Sequence, residues 1–186
     1  MDDPHLVSLP HCCIPRLSCK NLRGASIHRQ EVEMEFKLTC PAFHHGSQIP
    51  SRYTCDGDDI NPYLVIQGAP AAAKSLALIM DDPDAPGGTW VHWLLWDISP
   101  EIKEIKEHTA PFGAKEGVNS WDRSGYGGPC PSSGLHRYFF RLFALDIRPK
   151  IAGSAAREEL ERAMEGHILA TTELMGTYAR TNQAPM

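Results

Sequence analysis

Residues 75–98 read SLALIMDDPDAPGGTWVHWLLWDI, and their arrangement decides the fold. Ser75–Met80 and Trp90–Ile98 are dense in aliphatic, aromatic and β-branched residues and have strand length. Asp81–Gly88 between them carries two prolines and two glycines, and this predicts a loop joining two buried strands. Working outward, Leu64–Ile66 is a short strand candidate, and Phe36, Leu38 and Cys40 alternate with polar neighbours as in a half-buried strand. Gly117–Trp121 reads as a weaker strand. Arg123–Gly134 is too rich in glycine and proline to be regular, and His136–Leu145 resumes as the strongest strand of the chain. Turns, not helical patterns, separate these segments, so an antiparallel sandwich-like arrangement is expected over βαβ winding.

One helix is expected, from about Ser154 to Tyr178. Ser154 would be its N-cap, Glu158 and Glu159 would complement the dipole, and Leu160, Met164, Ile168, Thr171, Leu174 and Tyr178 would form its apolar face. Residues 1–33 show neither period, and their four basic and four acidic residues cancel, so the whole net charge of −5 lies in residues 34–186. These observations predict a disordered N-terminal extension over 1–33 and one folded domain over 34–186.

At 186 residues, with 42% hydrophobic and 22% charged residues, the chain has the composition of an ordinary globular domain. Glycine and proline number 15 each, a small excess that favours loop-rich β structure. The negative net charge argues against a nucleic-acid partner. No apolar run approaches the roughly 18 residues of a membrane span, so no membrane insertion is expected. The six cysteines form no C-x-x-C pair, and residues 1–33 lack a continuous apolar run, so no signal peptide is expected. This predicts reduced thiols in a cytoplasmic protein, while leaving a bridge between distant cysteines open.

Polar residues gather at two loop–strand junctions. Asp81–Pro86 leads to Trp90-Val91-His92-Trp93, and Gly125–Pro131 leads to Gly134-Leu135-His136-Arg137-Tyr138. Prolines stiffen such loops and glycines admit close backbone approach, so each junction suits a preformed concave site. Strand alternation puts Trp90, His92 and the residue at 94 on one face, and His136 with Tyr138 on another strand's face. If the strands are neighbours, the imidazoles line one cavity. Each would donate an N–H to a phosphate or carboxylate, with Asp82 or Asp84 fixing a tautomer from the far ring nitrogen. Taken singly, each residue is more simply a turn carboxylate or a packed histidine; the coincidence of two junctions favours a site. No G-x-S-x-G nucleophile motif is present, and metal ligation by His92, His136 and an aspartate has only ligand types in its favour.

The runs Asp82-Pro83-Asp84-Ala85-Pro86, Trp90-Val91-His92-Trp93-Leu94 and Gly125–Pro131 with Gly134–Tyr138 resemble the signature blocks of the phosphatidylethanolamine-binding protein family. Tyr53–Gly57, Asn61–Leu64 and the ending Leu174–Arg180 narrow the resemblance to its bacterial and archaeal-type, Raf kinase inhibitor-like branch. The resemblance covers Met34 to Arg180. It implies a mainly β, antiparallel two-sheet sandwich with peripheral helices and a C-terminal helix. It also implies a small anion pocket of Asp82, Asp84, Trp90, His92, Pro129, Pro131, His136 and Tyr138. The expected function is non-catalytic binding of phosphate, phosphoethanolamine-type or phosphorylated ligands, without cofactor or metal. The alternatives are inhibition of a kinase or serine protease and, ranked lower, a metal- or His/Asp-dependent hydrolase. Ser132 departs from a second consecutive proline of the branch, and Asp122 from a common glycine.

Overall fold

A computed structural model describes residues 34–180. The expected disordered extension over 1–33 lies outside the described residues. The strands are β1 (Lys37–Thr39), β2 (Leu64–Gln67), β3 (Ser75–Asp82), β4 (Trp90–Ile98), β5 (Glu104–Ile105), β6 (Lys115–Glu116), β7 (His136–Leu145) and β8 (Ile168–Tyr178), with one helix, α1 (Arg157–Met164). They form two antiparallel sheets: β1-β2-β5, and the larger β6-β4-β3-β7-β8.

The large sheet is covered on both faces. Leu76, Leu78, Met80, Trp93, Leu95, Tyr138, Phe140 and Leu142 pack towards Leu38, Leu64, Ile66 and Ile105 of the small sheet. On the other face Ala77, Ile79, Val91, Leu94, Trp96 and Leu145 pack against Leu160 and Met164 of α1. Double coverage explains why β3 is an unbroken apolar run and not an alternating one, since both of its faces must leave water. Every residue of β3 is buried.

The C-terminal helix expected over 154–178 is corrected. α1 ends at Met164, its N-cap is Ala156 and not Ser154, and Ile168–Tyr178 is strand β8, paired along nearly the whole of β7. Gly166, at φ +76°, reverses the chain after the helix. Beyond it Ile168, Thr171 and Thr172 favour a pleated surface. Leu174, Gly176 and Tyr178 share the inward face at period 2, and three-four spacing had concealed this. Gly176 is required there, because a Cβ would come 2.4 Å from Ile49 Cγ1.

Two smaller expectations also change. The strand expected at 117–121 is instead Lys115–Glu116 with an isolated bridge from Val118 to Ser124. Asp122 has φ +55°, in the left-handed region that glycine enters most readily and aspartate tolerates.

Candidate functional site

β3 runs between β4 and β7, so the two histidine-bearing junctions converge at one end of the large sheet. Met80 pairs with Trp93 but Asp81 pairs with Val91, leaving His92 as an extra residue on β4. This bulge re-aims the side chain. The His92 ring meets Tyr138 edge-on at 5.2 Å, whereas Leu94 faces α1. The expected common face of Trp90, His92 and residue 94 therefore does not hold: regular alternation ends at the bulge.

Tyr138 stands between the imidazoles, with the His136 ring stacked 6.5 Å from it. The His92 Nδ1 lies 2.7 Å from the Gly127 carbonyl, and the His136 Nδ1 lies 2.7 Å from Asp82 Oδ2. Both oxygens only accept, so both Nδ1 atoms carry the proton and each Nε2 has no partner among the described residues. This corrects the donor expectation, since a neutral ring tied back through Nδ1–H offers an outer lone pair, not an outer N–H. Burial pushes the His92 pKa down, opposed by the Gly127 carbonyl and the Asp82 charge.

The remaining polar groups differ in role. Asp82 turns inward to His136 and also accepts from the Asp84 amide at 2.8 Å, whereas Asp84 takes Arg137 through both guanidinium and backbone. The Arg137 guanidinium holds the Asp84 carboxyl at about 2, well below the usual carboxylate range. Asp84 thus pins the proline loop to β7 and leaves the imidazoles to Asp82. The Tyr138 hydroxyl is buried and makes no well-formed hydrogen bond among the described residues, with Asp82 and the Cys130 amide as its polar neighbours. Burial and the Asp82 charge push its pKa far up, and the Cys130 amide acts in the opposite sense.

Pro129 and Pro131 are buried in the second loop. The Pro129 carbonyl accepts from the Cys55 amide at 3.1 Å, and the Gly127 and Gly128 amides are consumed by the His92 carbonyl and by Asp59 Oδ1. Cys55 and Cys130 are joined by a disulfide. The expectation of reduced thiols is corrected for this pair, since the residues, 75 apart in sequence, are brought to a Cα separation of 5.4 Å by loops that meet only in three dimensions.

The sequence reading missed Trp121. Its ring packs edge-on against His92 at 5.0 Å and against Trp90 at 5.4 Å, and forms one wall of the mouth. Gly127 makes room for it, because a Cβ there would come 2.4 Å from the indole. The only available signal was an aromatic residue entering a glycine-rich segment.

His92 imposes a pH dependence on stability. With its pKa depressed in the folded state, the unfolded chain binds the proton more readily, so stability is lost as pH falls below 6.5, the value of an unperturbed histidine. Urea midpoints measured from roughly pH 7 to pH 5 are expected to fall less in His92→Gln than in the parent. Parallel profiles would refute this assignment.

A two-sheet antiparallel sandwich with paired imidazoles beside proline-stiffened loops defines the class. The phosphatidylethanolamine-binding protein family model matches residues 39–179, and the chain belongs to that family. It is 48% identical over 148 residues to a UPF0098 protein of Methanothermobacter thermautotrophicus, covering 77% of this chain and 98% of the relative. A UPF0098 protein of Aquifex aeolicus is 44% identical over 146 residues, covering 75% and 85%. Among solved structures, a putative phosphatidylethanolamine-binding protein homolog, CT736 of Chlamydia trachomatis, superposes with a TM-score of 0.75 at 41% identity, covering 78% of this chain and 97% of its own. The E. coli protein YBCL gives 0.74 at 27% identity, covering 78% and 99%.

Proposed function

We propose that the protein is a non-catalytic binding protein whose pocket of Asp82, Asp84, Trp90, His92, Pro129, Pro131, His136 and Tyr138 takes a phosphate monoester. The observation that supports this reading is the pair of imidazoles, each held through Nδ1 and with no Nε2 partner among the described residues, flanking the buried Tyr138 hydroxyl. A lone pair on neutral His92 repels a bare dianion and accepts from an anion that brings a proton. A hydrogen phosphate monoester meets that need through its single P–OH, its remaining oxygens accept from Tyr138, and an ammonium such as that of phosphoethanolamine donates to the lone pair of His136. A diester has no such proton and is the weaker ligand. Asp82 fixes the His136 ring and Arg137 holds Asp84, so both carboxylates orient the site, and a non-catalytic role is the reading we adopt because the sequence carries no nucleophile motif such as G-x-S-x-G beside these histidines. Among the described residues no group of three His, Cys, Asp or Glu side chains is placed to hold a metal, which bears on the metal-dependent form of the hydrolase alternative and not on the His/Asp-dependent one.

Binding is therefore coupled to proton uptake. The second phosphate pKa is about 6, so affinity for phosphoethanolamine rises roughly tenfold per pH unit on going from about pH 8 to about pH 7. Isothermal titration calorimetry in buffers of different ionisation enthalpy checks this. His92→Ala and His136→Ala each weaken binding about 10- to 100-fold, the worth of a hydrogen bond to a charged group, while the fold is retained. Unchanged affinity in both variants, or affinity independent of pH, sinks the reading. A phosphoserine peptide in the same assay distinguishes a free ligand from a phosphorylated kinase segment.

The cytoplasmic location belongs to the same reading. No described helix is long and apolar enough to cross a membrane. The disulfide opposes a reducing compartment. Fractionation of source cells decides: recovery of the chain with the cytoplasmic fraction keeps the reading, and recovery from the envelope or the medium overturns it.

A further inference from the structure

A cavity of about 380 Å³ shares no lining residue with the imidazole site. The Gly125–Gly128 segment lies between the two: the Gly127 carbonyl serves His92, whereas Tyr126 lines the cavity. There the Tyr126 and Trp93 rings meet edge to face at 5.6 Å, with Ile60 and Ala110 completing an apolar wall. Two carboxylates, Asp59 and Glu116, interrupt this wall.

The charges in the cavity are poorly compensated. The one side-chain hydrogen bond Glu116 makes among the described residues comes from Trp93 Nε1 at 3.4 Å, at the long limit for such a bond. Asp59 accepts from the Gly128 amide at 2.6 Å, and its other oxygen faces the Arg123 guanidinium only at 3.6 Å, with that side chain 55% exposed. Arg123 itself lies over the Trp121 ring, which draws it towards the mouth of the other site. Two carboxylates beside aromatic and aliphatic side chains, with Asn61, His108 and Thr109 completing the lining, suit a cation that carries apolar surface. A metal ion is the wrong occupant, because the described residues offer no set of three ligands for one.

We propose that this cavity binds a small organic ammonium, its charge between Asp59 and Glu116 and its carbon against Trp93 and Tyr126. The proposal does not depend on what the imidazole pocket holds. The probe is tetramethylammonium chloride, titrated against sodium chloride at equal ionic strength, and the readout is the Trp93 indole N–H signal in proton–nitrogen correlation spectra. A saturable shift with a dissociation constant on the order of millimolar is expected, as a cation–π contact with partly screened charges gives. Glu116→Gln keeps the size and the acceptor for Trp93 but weakens binding about tenfold, and Asp59→Asn does the same while keeping an oxygen for Gly128. A Trp93 response no larger than that to sodium, or saturation unchanged in both variants, overturns the proposal. Inorganic phosphate binding is unaffected by Glu116→Gln; its loss would overturn the separation of the two sites.

Discussion

Replacing Cys55 and Cys130 together with serine is expected to lower the unfolding free energy by up to about 4 kcal/mol, the loop-closure value for a bridge spanning 75 residues. Cross-linking so distant a pair removes many conformations from the unfolded chain, and the double substitution returns them. The figure is an upper value because other contacts hold the same two loops together. Tyr126 Oη donates to the Tyr53 carbonyl at 2.8 Å, the Cys55 amide to Pro129, and the Gly128 amide to Asp59. Those contacts keep the pocket loop near its place in the folded state, so phosphate affinity falls by less than stability does. Urea unfolding of the parent with and without a thiol reductant gives the same comparison without mutation. An unchanged midpoint on reduction would mean that the bridge is absent or energetically idle.

Asp81→Ala is expected to cost about 3 kcal/mol, the low end for breaking a buried ion pair from one side. Asp81 is only 1% exposed on the α1 side of β3, where Arg141 and Arg157 both donate to its carboxylate. Arg157 is on α1 and also pairs with Glu161, so this one carboxylate ties the helix to the sheet. The low end applies because the Arg141 and Arg157 side chains are 28% and 23% exposed, so their charged ends can reach water once released. The midpoint of thermal unfolding should drop by roughly 6–12 °C for a domain of this size. Arg157→Ala leaves Arg141 in place and should cost clearly less. A loss below about 1 kcal/mol in Asp81→Ala would show that hydrophobic packing of Leu160 and Met164 alone seats the helix.

Most strands were legible because their burial leaves a local record. β4 and β7 carry apolar density over the spans they occupy in the fold, and proline or glycine marks their ends. β8 was not legible. Its residues satisfy helical spacing and strand alternation at once, and the choice falls to the long β7 edge waiting to be paired. The candidate residues at the two junctions do come together at one end of the sheet, as the glycine and proline punctuation suggested. The direction of each ring's proton was beyond reach, because it depends on Gly127 and Asp82 across the fold.

From the chain alone followed the sandwich, the two stiffened junctions and the family they resemble, because turn chemistry and apolar density act over a few residues. The bulge that turns His92 towards Tyr138, the Cys55–Cys130 bridge and the tied-back imidazoles came only with the tertiary structure. Each joins groups that are remote in sequence or shifts a register by one residue, and local preference carries no information about either.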